Sequence, residues 1–177
     1  MRFLSLLLLF LVAPLASEAQ SHATPAPLAF FSRLVGEWEG EAWIIMGPGG
    51  KQILQQRETV EAVAGGTVFT IKGIGTLKEP DGSVKVMHDA FATVYLDHDH
   101  VTPRLRAFVA HGANWLDPDL TVTANGFSWS MKDPRAGMIR YDVAFDAEGR
   151  WVEKGVMSRD EGKTWTPFFE MTLSRKR

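Results

Sequence analysis

Apolar and polar residues alternate along most of the chain after position 36. In Trp38-Glu39-Gly40-Glu41-Ala42-Trp43-Ile44, apolar or small residues occupy one parity, and glutamates begin the other. A period of two is typical of a β-strand that buries one face. The same alternation recurs in residues 127–131, 139–145 and 165–173. The pattern therefore predicts a chain of strands, with Trp38 facing inward.

Turn-forming residues separate these segments at short, regular intervals, for example Pro80-Asp81-Gly82, Asn125-Gly126 and Asp160-Glu161-Gly162. This spacing is typical of successive β-hairpins. About eight to ten strands with short connections can close as a sandwich or as a barrel. The absence of a long crossover in the pattern favours an all-β, antiparallel up-and-down barrel. Such a barrel has room for side chains or for one small ligand.

A short helix is predicted before the first strand. Leu28, Phe31, Leu34 and Val35 follow a helical spacing, and Gly36 is placed to end the helix. Residues 20–27 are rich in proline and small polar residues and predict a flexible leader. A single barrel domain is expected to span residues 28–177.

The first 19 residues have the pattern of a signal peptide. Arg2 precedes an apolar run, and the small residues Ser17 and Ala19 flank a cleavage position. The run is shorter than the roughly 20 residues that a membrane span needs. We expect a periplasmic or secreted protein with no stable membrane span after removal of the signal. An uncleaved signal anchor is the alternative.

Composition narrows the classes of partner. The 177 residues carry a formal net charge of −2 and include no cysteine. The chain lacks the basic patch that nucleic acids or anionic membranes require. Disulfides, thiolate catalysis and cysteine zinc sites are excluded.

The segment Leu34-Val35-Gly36-Glu37-Trp38-Glu39-Gly40-Glu41 resembles the opening of calycin-type barrels such as lipocalins and nitrobindin-like proteins. The resemblance implies that Trp38 closes the barrel floor and that a basic residue near the last strand, here Arg175, packs on it. The ending, residues 158–171, is similar to a bacterial family of exported or cytosolic β-barrel domains of unknown function. Nitrobindin-like haem binders supply the iron-ligating histidine from late in the chain. Because the last histidine here is His111, haem is disfavoured and no cofactor is expected.

Several polar and aromatic residues are candidates for lining a ligand cavity. His111 shares its parity with Leu105, Ala107 and Val109, so it enters the lumen if that parity faces inward. Glu153 lies on a strand with apolar residues on both parities, which leaves its direction open. If it faces inward it needs a cationic or hydrogen-bonded partner, and Arg106 and Arg140 are the sequence candidates. The predicted ligand-binding residues are Trp38, His88, Arg106, His111, Trp115 and Glu153.

Two further motifs have a structural and a functional interpretation. Asp97-His98-Asp99-His100 is dense in metal-ligand types, but alternation lets at most two of them converge, which favours a solvated hairpin tip. Ser158-x-Asp160-x-Gly162-x-Thr164-Trp165 matches the Asp-box hairpin of sialidase-like propellers. It occurs once, whereas a propeller needs repeats, so a tight turn is predicted.

No activated nucleophile, HExxH zinc helix or phosphate loop is present in the sequence, which favours a protein without enzymatic activity. The leading hypothesis is an exported barrel that binds a small apolar or amphipathic molecule. One alternative is a lumen enzyme that uses His88, His111, Arg106 and Glu153 for acid–base chemistry. The other is a structural or protein-interaction barrel with a filled interior and an exposed apolar patch on its outer wall.

Overall fold

The computed structural model describes residues 23–45, 47–110 and 114–177. The predicted signal peptide lies outside these ranges. A 3-10 turn at Ala26–Leu28 leads into helix α1 (Ala29–Leu34). No helix among the described residues has the length and apolarity needed to cross a membrane.

Eleven strands follow α1 in the described ranges, all paired antiparallel. The predicted all-β antiparallel barrel with a short N-terminal helix is confirmed, with one strand more than the highest number expected. The strands are β1 (Gly36–Ile45), β2 (Lys51–Val63), β3 (Val68–Lys78), β4 (Val84–Leu96), β5 (Pro103–Val109), β6 (Asn114–Leu116), β7 (Asp119–Val122), β8 (Gly126–Asp133), β9 (Gly137–Phe145), β10 (Trp151–Ser158) and β11 (Thr166–Arg175).

The strands form one sheet in the order β6-β5-β4-β3-β2-β1-β11-β10-β9-β8-β7. Neighbours in sequence are neighbours in the sheet, except that β6 and β7 lie at its two ends. The first and last strands pair at its centre, with Trp38 opposite Arg175. The sheet curls until β5 and β7 come into contact. The result is an up-and-down half-barrel whose seam lies beside the β6–β7 connection.

The packed core lies at one end of the barrel, which we call the floor. Leu28, Phe31 and Leu34 from the N-terminal helical segment are completely buried. The Phe31 ring packs against Phe127 and Phe69, at centroid distances of 4.8 and 6.0 Å. The short helix therefore closes the barrel, because its apolar side has no other surface to cover.

Candidate ligand-binding site

Trp38 forms the centre of the floor and is held there by Leu34 and Arg175. Its indole Nε1 donates a hydrogen bond to the Leu34 carbonyl oxygen at 2.7 Å. The Arg175 guanidinium lies 4.3 Å from the ring centroid and donates to the carbonyl oxygens of Val35 and Arg33. The packing of Arg175 on Trp38 that the family resemblance implies is therefore present. Trp38 is 2% exposed, so it can form only the base of a cavity.

Two polar side chains of β2 point into the barrel immediately above this floor. Gln56 and Glu58 share the inward parity of Leu54 and Val60, and Glu58 lies opposite Trp38 in register. On the other side their register partners are Gly75 and Gly73 of β3. A Cβ atom at Gly73 would lie 2.6 Å from Glu58 Oε1, and one at Gly75 would lie 2.4 Å from Gln56 Oε1. The two glycines thus provide the space in which these side chains lie.

The Glu58 carboxyl is buried and has an amide neighbour. Gln56 Nε2 donates to Glu58 Oε1 at 2.7 Å, and the two residues are 3% and 7% exposed. Burial raises the pKa of Glu58 to about 8, the Gln56 hydrogen bond lowers it, and the charge of Glu153 raises it further. Desolvation dominates because a buried carboxylate loses its hydration. Glu58 is therefore largely protonated at neutral pH.

Glu153 also faces the lumen, from β10, which is separated from β2 by β1 and β11 in the sheet. Its register partners are Val143 of β9 and Met171 of β11, both of which are buried core residues. Burial raises its pKa to about 7, and a hydrogen bond with the Trp129 side chain lowers it. Because the indole N–H can only donate, Trp129 is the donor. This carboxyl changes its charge close to neutral pH.

Trp129 is stacked on Tyr141, with ring centroids 4.1 Å apart and planes 11° from parallel. Burial, and secondly the charge of Glu153, raises the pKa of the Tyr141 hydroxyl, which stays neutral. We call Gln56, Glu58, Trp129, Tyr141 and Glu153 the lumen polar cluster. It combines two carboxyls with the edges and faces of two aromatic rings.

Several side chains of this cluster and beside it are only partly buried. Glu153, Trp129, Tyr141 and Phe169 face inward yet keep part of their surface accessible, whereas the floor residues beneath them are buried. Gln52 lies on the same inward parity of β2, and its Oε1 is buried with no hydrogen-bond partner among the described residues. The inward side chains above the floor are therefore less completely buried than those of the floor.

The expected arginine partner of Glu153 is absent from the lumen. Arg106 lies on the outward parity of β5, where it forms a bidentate pair with Asp117 at 2.6 and 2.7 Å. Arg140 faces outward on β9 and pairs with Asp142. Neither candidate arginine is the partner of Glu153, because both lie on outward parities. The inward carboxyl has a hydrogen-bonded partner instead, in Trp129. The Trp129 hydrogen bond and the raised pKa take the place of an ion pair at Glu153.

The structure separates the sequence-predicted site residues into three groups. Trp38, His88 and Glu153 lie on the inner face, with His88 on β4 opposite Gly75. Arg106 and Trp115 lie on the outer face, where the guanidinium stacks 4.8 Å from the indole centroid. His111 lies outside the described residues. The acid–base set of the enzyme hypothesis is therefore not assembled, because Arg106 is on the other side of the wall.

Sequence reasoning missed Gln56, Glu58 and the roles of Trp129 and Tyr141. Residues 51–59 carry polar side chains on both parities, so the alternation that reveals a strand face is lost there. The Gly-x-Gly of β3, at Gly73 and Gly75, is the signal that could have found them. A glycine pair inside a strand marks the close approach of another group.

The two acidic motifs form turns. Asp99 accepts hydrogen bonds from the backbone N–H groups of Val101 and Thr102 at 2.9 and 2.8 Å. Asp160 accepts from the Thr164 N–H at 2.8 Å and from the Thr164 hydroxyl at 2.6 Å. The predicted hairpin tip and tight turn are both present, because these carboxylates bind the backbone of their own loops.

An apolar patch lies on the outer wall at the β4–β5–β6 end of the sheet. Phe91, Phe108 and Trp115 are adjacent across the three strands and are 41%, 46% and 59% exposed. Together with Asp89 they border a groove of about 370 Å³. Exposed aromatic patches of this kind mark contact surfaces.

The fold defines the chain as an antiparallel up-and-down half-barrel with a short N-terminal helix at its floor. It is similar to the crystal structure of Rv2717c from M. tuberculosis, with a TM-score of 0.61 and 15% identity over 88% of this chain and 100% of that one. It is also similar to the S-type phycobiliprotein lyase CPES from Guillardia theta, with a TM-score of 0.58 and 14% identity over 84% and 92% of the two chains. Neither a protein-family model nor a curated protein matches the sequence.

Proposed function

We propose that this is an exported binding protein that holds one small apolar or amphipathic molecule in its lumen. The observation that carries the proposal is Glu153, a carboxyl deep inside the barrel that still borders accessible space. Protein interiors are normally packed without such space. Ligand sites, in contrast, are largely apolar concavities with a few placed polar groups.

The shared fold gives the proposal secondary support. One solved protein with a similar fold is the S-type phycobiliprotein lyase CPES. A fold hosts many functions, so this likeness is an analogy and carries no ligand identity. Export is supported by the signal-peptide pattern of the first 19 residues, and N-terminal sequencing of secreted protein should begin near Gln20.

Native mass spectrometry of the purified full chain tests lumen binding. We expect a small molecule to co-purify with the wild-type protein and to be lost in Ala90→Trp, which places a large ring on the inward face of β4. Ala144→Trp on the outward face of β9 is the matched control and should retain the molecule. Circular dichroism checks that both variants fold. Equal retention by both variants would contradict the proposal.

A protein-interaction role is the second candidate, and the outer aromatic patch favours it. Burying Phe91, Phe108 and Trp115 against a second copy would remove apolar surface from water. Light scattering on wild-type protein and on Phe108→Ser tests this role. A wild-type dimer that Phe108→Ser dissociates supports it, and a monomer at high concentration contradicts it.

A further inference from the structure

We propose that the lumen ligand is an organic amine, bound as its ammonium ion between Glu58 and Glu153 and against the Trp129–Tyr141 stack. The inference rests on the proposed lumen function and names the ligand class. It follows from three properties of the inner wall: its charge, its aromatic surface and the protons that it holds.

The charge of the lumen matches a cation. No lysine or arginine contributes to the pKa of Glu58 or of Glu153. Gln52 adds a buried acceptor oxygen without a donor among the described residues. An anionic ligand would be repelled by an ionised carboxyl of this pair, whereas an ammonium ion supplies the opposite charge.

The aromatic surface matches the rest of an amphipathic amine. Trp129 and Tyr141 stack beside Glu153, and Phe169 approaches Tyr141 with a centroid distance of 5.5 Å. Ring faces attract ammonium groups, as in the aromatic cages that bind alkylated amines. The carbon part of the ligand can pack on the same rings.

Capture of the amine is a proton exchange without a covalent step. The ammonium ion enters, one carboxyl of the pair releases its proton to solvent, and the resulting carboxylate accepts hydrogen bonds from the ammonium. The other titratable groups facing this space in the described strands are Tyr141 on β9 and His88 on β4, and Lys85 stands at the exposed end of β4. Amine affinity should therefore rise between pH 6 and pH 8 while the ligand stays protonated.

Calorimetry with three probes of similar size tests the ligand class. Phenethylamine, 2-phenylethanol and 3-phenylpropanoate share a phenyl group and differ in charge. At pH 8 we expect the amine to bind about tenfold more tightly than the alcohol, and the carboxylate to bind most weakly. Repeating the amine titration in buffers of different ionisation enthalpy should show release of protons.

Three variants connect the charge preference to the two carboxyls. Glu153→Gln and Glu58→Gln should each lower amine affinity about tenfold and lower alcohol affinity much less. Glu148→Gln is the control, because that side chain is 66% exposed on a loop. It should bind all three probes as the wild type does.

The outcomes separate the amine inference from lumen binding. If the wild type binds amine and alcohol equally, and Ala90→Trp abolishes both, the amine inference is overturned and the lumen function stands. If no probe binds, the amine inference is also overturned, and the co-purified molecule decides the lumen function.

Discussion

Arg175 of β11 lies directly over Trp38 of β1, with its guanidinium carbon 4.3 Å from the ring centroid. The two residues are also register partners in the pairing that joins the last strand to the first. Arg175 further donates to two carbonyl oxygens at the end of α1. One side chain therefore links the helix, the floor and the central strand pair.

Arg175→Ala should lower the free energy of unfolding by about 1–3 kcal/mol, since it removes the cation–π contact and leaves carbonyl groups without their donor. Arg177→Ala, two residues further on, is the matched control and should have little effect. Urea unfolding at fixed pH gives both values. Equal stability of the two variants would show that the floor does not depend on this contact.

The buried Glu58 carboxyl predicts a pH dependence of stability. Its pKa is about 8 in the folded protein against an ordinary value of 4.5. Between these values the folded state keeps a proton that the unfolded state has released, so stability falls as pH rises from 4.5 to 8 and levels off above. At about 1.36 kcal/mol per pKa unit, the loss is about 5 kcal/mol at most.

Glu58→Gln should remove the part of the pH dependence that Glu58 contributes, because glutamine copies the neutral carboxyl. The part that the raised pKa of Glu153 contributes should remain. The variant should match the wild type near pH 5 and exceed its stability near pH 9. Thermal or urea unfolding across this range checks the prediction. Parallel pH profiles for the two proteins would mean that Glu58 ionises normally in the folded state.

The Glu58 carboxyl lies directly over Gly73, so substitutions at these two positions should have coupled effects on stability. Gly73→Ala should cost about 1–3 kcal/mol, because the added methyl group would lie 2.6 Å from Glu58 Oε1. In a Glu58→Ala background the same change should cost much less, since the opposing carboxyl is gone. Gly49→Ala is a neutral control, because the nearest atom to its added Cβ is 4.0 Å away. Additive effects of the two substitutions would contradict the contact.

Asp160 should matter for stability and not for ligand affinity. Hydrogen bonds from the Thr164 side chain and backbone and from Ser158 lower its pKa to about 2. A lowered pKa contributes stability above pH 4 that is lost as pH falls through 2. Asp160→Ala should therefore lower the melting temperature at pH 7 and leave probe binding unchanged. A change in probe affinity at equal stability would assign the turn to the binding site.

Much of the fold could be predicted from period-two alternation. The alternation around Trp38 allows one interpretation of the strand face and therefore predicts that Trp38 is buried. The structure confirms this and shows the first and last strands meeting beside it. Glycine and aspartate predicted the positions of the hairpin turns, because these residues favour turns through their own backbone conformation and hydrogen bonds. The pairing of Arg175 with Trp38 came from the family resemblance and not from the pattern.

The candidate site was harder to predict, because it depends on which parity of each strand faces inward. Glu153 has apolar residues on both faces of its strand, so alternation gives no direction for its side chain. Arg106 was a candidate partner of Glu153 because of its positive charge alone. A shift of one residue exchanges the two faces of a strand. Only the register with β9 and β11 places Glu153 inside, and only the register with β4 places Arg106 outside.

Carbon-13 NMR of protein labelled at the glutamate side-chain carboxyl carbons tests the central claim most directly. We predict two carboxyls that titrate near pH 7 and pH 8, and a fall in at least one of these midpoints when phenethylamine is added. The remaining glutamates should titrate without responding to the amine. If every glutamate titrates near pH 4.5 and none responds, the lumen does not hold the buried carboxyl pair on which the proposed site depends.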